Sequence, residues 1–118
     1  MRSTAELWGE AQEALDRVWF VQSVEEMERT NCTLFVRLWI RDDLFAQAFL
    51  GELSGSLYMA LIQSGRRIFG IDREGDEWHV HPFAHPHQHE LLSDRPEPKP
   101  LLKFLARVED LLIKQHIL

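Results

Sequence analysis

Cysteine is almost missing from this chain: Cys32 is the only one in 118 residues. It cannot form an internal disulfide, so nothing demands an oxidising compartment, and it has no matching cysteines for a thiolate metal site. No apolar run approaches the roughly 20 residues that span a bilayer. The N-terminal stretch MRSTAELWGE turns charged too early for a secretory leader. A cytoplasmic location is expected. Positive charge is also short, with 13 basic against 19 acidic residues and a formal charge of −6. A nucleic-acid binder working through overall charge is excluded, and any RNA or DNA contact has to rest on a local group of arginines. Glycine is sparse too. Gly51, Gly55, Gly65, Gly70 and Gly75 form neither a G-x-G-x-x-G fingerprint nor a phosphate-binding loop.

What is present is a patterned single domain, with 45% hydrophobic residues available for a core. Ser3 and Glu6 have capping-box spacing, and Leu7, Ala11, Ala14, Leu15 and Val18 follow on one helical face. This predicts a core-covering helix over 3–17. Val18-Trp19-Phe20-Val21 is rich in branched and aromatic residues, which predicts a strand beginning near Val18 and running to about Arg29. TLFVRLWIR alternates strictly: Leu34, Val36, Leu38 and Ile40 point one way, and Phe35, Arg37, Trp39 and Arg41 the other. LFAQAFL, SLYMALIQ, RRIFGID and EWHVHPF read as further strands, separated by short polar or glycine-bearing turns. Short connections of this kind predict an antiparallel meander. DRPEPKP is an extended connector, because Pro96, Pro98 and Pro100 lack backbone donors. Leu101, Leu105, Val108 and Leu112, with Leu102 and Leu111, predict a closing amphipathic helix over 101–117. The expected architecture is α+β: one curled antiparallel sheet of about five or six strands within 18–83, a His/Pro-rich loop over 84–100, and a helix from each chain end packed on the sheet.

Five of the six histidines lie in Trp78–Glu90, WHVHPFAHPHQHE. On a strand, His79 and His81 project from the same face, about 7 Å apart at the backbone. If Pro86–His89 is extended, His87 and His89 make a second same-face pair, with His85 held extended by the proline after it. Asp72 closes the preceding strand, where it can orient an imidazole. Three chemistries fit. Imidazoles can serve as acid and base in cleaving a phosphodiester, with Arg66, Arg67 and Arg73 supplying positive charge to the phosphate. They can instead share zinc or another divalent transition metal, the ligands then coming from His79, His81, His85, His87 and His89. Or they are polar residues tolerated in an exposed loop. His116, in the closing helix, reads as structural or surface. Trp39 beside Arg37 and Arg41 either stacks a base or belongs to a second apolar layer or a homodimer contact, the latter being the commoner use of such a face.

The stretches FVQSVEEMER, TLFVRLWI, LYMALIQ and RRIFGIDREGDEWHVHPFAHPHQH resemble the TumE-type toxins of type II toxin–antitoxin modules. The resemblance covers roughly residues 20–112. Its marks are Val21-Gln22-Ser23, Arg67 with Asp72, the pair His79 and His81, and Pro86-His87-Gln88-His89. Arg73 stands where that family usually carries Asn. The resemblance implies a strand over 18–29 and a ribonuclease toxin of RNA, neutralised by a helix-turn-helix antitoxin encoded beside it. Combined with the histidine chemistry, the expectation is RNA cleavage without a metal or other cofactor: His79, His81, His87 and His89 as acid and base, Asp72 orienting, and Arg66, Arg67 and Arg73 holding phosphate. The alternative is a non-catalytic metal-binding or protein-interaction module.

Overall fold

A computed structural model describes residues 1–118. Helix α1 (Thr4–Arg17) is followed by strands β1 (Ser23–Arg29), β2 (Thr33–Arg41), β3 (Leu44–Gly51), β4 (Ser56–Gln63), β5 (Arg66–Glu74), β6 (Glu77–His81) and β7 (Glu90–Leu91), then helix α2 (Pro100–Lys114). The seven strands form one open antiparallel sheet in the order of the sequence. This is the expected α+β meander, with β7 as the added strand: two residues inside the His/Pro-rich segment, paired to His79 and Val80.

The first helix begins as its sequence dictates. The Ser3 side chain accepts from the Glu6 amide, while the Glu6 carboxylate accepts from the Ser3 amide. The following segment departs from the expectation. Val18 ends the helix, residues 18–22 are irregular, and β1 starts only at Ser23. Phe20 and Val21 are buried, so their apolar character reflects packing under the helix end rather than strand pairing. At the other end, α2 stops at Lys114, short of the expected residue 117.

Alternation along the strands sorts the sheet into two unlike faces. Leu34, Val36 and Leu38 from β2, Leu44, Ala46, Ala48 and Leu50 from β3, Leu57, Met59 and Leu61 from β4, and Phe69 and Ile71 from β5 form one predominantly apolar face. Leu7, Ala11 and Ala14 of α1 and Leu101, Phe104, Leu105, Val108 and Leu112 of α2 bury against it in one continuous core. Leu15, expected in that helix stripe, is exposed, and Glu10 is buried in its turn of the helix. The Glu10 carboxylate accepts from the Leu102 amide at 2.8 Å, so it caps α2, whose own N-cap Lys99 makes no side-chain capping bond. The opposite face carries Phe35, Trp39, Phe45, Phe49 and Tyr58 and is covered by no helix. No helix is long and apolar enough to cross a membrane.

One turn and one bulge set the site end of the sheet. Ser64 and Gly65 both take positive φ, at 51° and 78°, joining β4 to β5 by the hairpin geometry whose twist matches the strands. Within β5 the register slips: Leu61 pairs with Phe69 but Ile62 pairs with Arg67, so Ile68 is an extra, bulged residue. A bulge of one residue reverses the facing of everything before it. Arg67 and Asp72, five positions apart, would face opposite sides of a regular strand, yet here both face the helix-free side.

Candidate imidazole and arginine site

The site is assembled by β5, β6 and the turn segment between β6 and β7. Cross-strand register places His79 opposite Asp72 and His81 opposite Gly70, all on the helix-free face. The absent side chain of Gly70 makes room. A Cβ there would lie 3.1 Å from the Met59 carbonyl oxygen and 3.6 Å from both Arg67 Cδ and His81 Cδ2.

Asp72 does not bind the histidine opposite it. Its Oδ2 lies 2.9 Å from Nε2 of His81, on the diagonal. Nδ1 of His81 lies 3.0 Å from the carbonyl oxygen of Gln88. A carbonyl oxygen only accepts, so Nδ1 carries a proton, and the contact to Asp72 needs a second. The two residues therefore hold one proton in common, either as imidazolium with carboxylate or as imidazole with carboxylic acid. Burial pushes the Asp72 carboxyl above its ordinary value of 3.8, and the adjacent His81 and Arg67 oppose that shift. Both ring nitrogens of His81 are engaged, so neither is free to exchange a proton with a ligand. This departs from the role the sequence suggested.

The other imidazoles divide. The His89 ring stacks on His79 with centroids 4.0 Å apart and on His81 at 5.0 Å. His79 is half-buried, with Nε2 3.5 Å from a Glu77 carboxylate oxygen and Nδ1 buried without a partner. An unpaired buried nitrogen is uncommon in folded proteins. His87 goes elsewhere. The expectation of an extended Pro86–His89 is corrected: the Gln88 amide donates to the His85 carbonyl at 3.0 Å, closing a turn with Pro86 in its second position, where a fixed φ near −65° suits it. A second turn precedes it, closed by the His85 amide on the Pro82 carbonyl at 3.2 Å, which ends β6 at His81 rather than Phe83. The two turns separate the rings. His89 joins His79 and His81, while His87 lines a cavity on the same face. His85 is exposed and outside the cluster.

The arginines divide too. A guanidinium nitrogen of Arg67 donates to the Pro86 carbonyl at 3.0 Å and so braces the turn. Arg66 is exposed at the start of β5. Arg73 is corrected outright as a phosphate ligand. It is 1% exposed, on the helix-covered face, where it donates to the carbonyls of Met1 at 2.6 Å and Gly55 at 3.2 Å. Odd spacing from Asp72 along a regular stretch sends it to the other side of the sheet.

The adjoining cavity holds about 840 Å³ and is lined by Phe35, Gln47, Phe49, Tyr58, Ala60, Ile62, Arg66, Arg67, Ile68, Asp72, Pro86 and His87. This volume is in the range of small-molecule sites. Comparison with family models, curated proteins and solved structures gives no match. No three His, Cys, Asp or Glu side chains stand where they could hold one metal ion. The alternative ligand set His79, His81, His85, His87 and His89 is not assembled: the two turns carry His85 and His87 away, and His79, His81 and His89 meet as stacked rings. Sequence reasoning missed the Gln88 and Pro86 carbonyls, the Ile68 bulge and the aromatic wall. Only the last had a legible signal, in the alternation of Phe45, Gln47 and Phe49 in LFAQAFL.

Proposed function

We propose that this chain is a TumE-like toxin that cleaves RNA by imidazole acid–base chemistry without a metal ion. The observation that carries the reading is the stack of His79, His89 and His81, anchored on Asp72, beside a cavity bordered by Arg66, Arg67 and His87. In such a reaction a neutral imidazole takes the proton of a ribose 2′-hydroxyl, whose oxygen attacks the adjacent phosphorus. A protonated imidazole gives its proton to the departing 5′-oxygen. The products are a 2′,3′-cyclic phosphate and a free 5′-hydroxyl. His79, His87 and His89 are the groups with a ring nitrogen available for these transfers. The guanidinium groups of Arg66 and Arg67 offset the charge gathering on the phosphate. The His81–Asp72 pair fixes the platform on which His89 rests. A helix-turn-helix antitoxin is the partner this reading calls for.

The test is cleavage of a mixed-sequence RNA by the purified chain in EDTA, with the product ends identified. Cyclic phosphate ends that persist in chelator and fall at least tenfold in His89→Gln support the reading. No cleavage, or cleavage that requires added zinc or manganese, overturns it.

A further inference from the structure

The helix-free face of the sheet is an aromatic bed with unpaired cations. Trp39 and Phe45 pack at 4.8 Å between ring centroids, and Phe49 and Tyr58 stack at 6.2 Å with planes 23° apart. Tyr58 remains 38% exposed. The guanidinium of Arg37 lies over Phe45 at 4.5 Å and over Phe35 and Trp39 at 5.9 Å, and its Nε is buried without a partner.

Glu25 and Glu74 lie at the margins of this face, accepting from the Trp39 indole and the Tyr58 hydroxyl, but within the cavity charge runs against that of the chain. Arg2, Arg17, Arg29, Arg41 and Lys99 each pair with a carboxylate. Arg37, Arg66 and Arg67 pair with none, in a molecule with six excess negative charges. The one acidic residue lining the cavity is Asp72, and His81 already occupies it. The cavity joins the stacked pair Phe49 and Tyr58 to Arg66, Arg67 and His87 without interruption.

We infer that this face binds single-stranded RNA, with bases stacked on Phe49 and Tyr58 and the backbone phosphates on Arg66 and Arg67. The complementarity is specific to an unpaired strand. Its ligand must offer flat aromatic faces and negative charge together, and a duplex keeps its base faces covered by one another. Stacking on a π-face accepts any base, so binding is sequence-tolerant. The inference deepens the ribonuclease reading by naming the form of RNA that reaches the imidazoles.

The experiment measures binding apart from cleavage. The full chain carrying His79→Gln and His89→Gln is titrated into a 5′-labelled 10-nucleotide oligouridine, and separately into a labelled RNA duplex of equal length, followed by fluorescence anisotropy. The single strand is expected to bind at least tenfold more tightly. Phe49→Ala and Tyr58→Ala should each weaken it about 5- to 150-fold. Tyr58→Phe, which keeps the ring and the fold, should retain it. Arg66→Ala with Arg67→Ala should flatten the salt dependence by roughly 1.4 in log–log slope, about 0.7 for each phosphate no longer neutralised. Equal affinity for duplex and single strand, or indifference to removal of the rings, overturns the inference. So does a chain that sediments as a dimer, binds no RNA and dissociates in Tyr58→Ala, because a second copy is then what covers the face. The two readings fail separately. Ring-dependent binding with no cleavage by the unmodified chain sinks the nuclease and leaves the bed. Cleavage with ring-independent binding does the reverse.

Discussion

Asp72 sits directly across the sheet from His79 but gives its carboxylate to His81, 2.9 Å away on the diagonal. The opposite pairing would have oriented a half-buried ring that stacks on His89 and whose one charged neighbour is Glu77. The observed one anchors the ring whose other nitrogen holds the Gln88 carbonyl, and so ties the turn segment to the sheet.

Replacing Asp72 by Asn should keep this geometry, because an amide N–H can donate to Nε2 while Nδ1–H still faces Gln88. The dependence of stability on pH should change. Burial raises the Asp72 carboxyl above 3.8, so the folded chain holds that proton more tightly than the unfolded chain. Its contribution to stability is full below 3.8 and is lost as pH rises through the raised folded value. Urea midpoints measured from pH 3.5 to 6 should therefore lose one declining component in Asp72→Asn. Cleavage, on the proposed reading, should fall at least roughly tenfold, about 1.4 kcal/mol of barrier.

Gly70→Ala tests the space under His81. The added methyl would meet the Met59 carbonyl oxygen, backbone that cannot swing aside, at 3.1 Å. A destabilisation of roughly 1–3 kcal/mol is expected, the usual range for overpacking. Denaturant unfolding should read it, along with a changed His81 imidazole resonance. Unchanged stability and resonance would mean that β4 and β5 separate more freely than their register indicates.

Arg67 and Arg73 should behave oppositely. Arg73→Ala removes a buried side chain from the carbonyls of Met1 and Gly55 and should cost roughly 2–5 kcal/mol in stability. Arg67→Ala removes an exposed one and should leave the melting temperature nearly unchanged while weakening RNA binding. Lys at 67 should rescue in part, since an ammonium lacks the planar fork. The pair of melting curves and binding isotherms is the check.

Glu10 is a stability determinant far from the site. Glu10→Ala leaves the Leu102 amide at the start of α2 without its acceptor and should cost about 0.5–2 kcal/mol, as removal of a helix cap does. Glu10→Gln keeps an acceptor oxygen and should recover most of that. Chemical denaturation of the two variants side by side distinguishes the cap from mere burial.

Strand and helix type were determined by the sequence alone, because alternation in TLFVRLWIR and LFAQAFL and the Ser3–Glu6 box are local signals backed by local physics. The clustering of imidazoles in Trp78–Glu90 was equally plain. The end of β6 and the divergence of His87 from His89 were decided by two turns, and the turn over His85–Gln88 has Pro86 as its only trace in the sequence. Which cations share the imidazole face was decided by tertiary structure. The Ile68 bulge turns Arg67 to the side of Asp72, and the regular stretch after it sends Arg73 into the core. A bulge adds one unpaired residue, which a strand accepts wherever its neighbours' register allows, so its position depends on β4 as much as on β5. Likewise, nothing local told Asp72 which histidine to bind. That choice required a glycine opposite His81 and a carbonyl brought round from Gln88, contacts that exist only once the sheet and its turns are assembled.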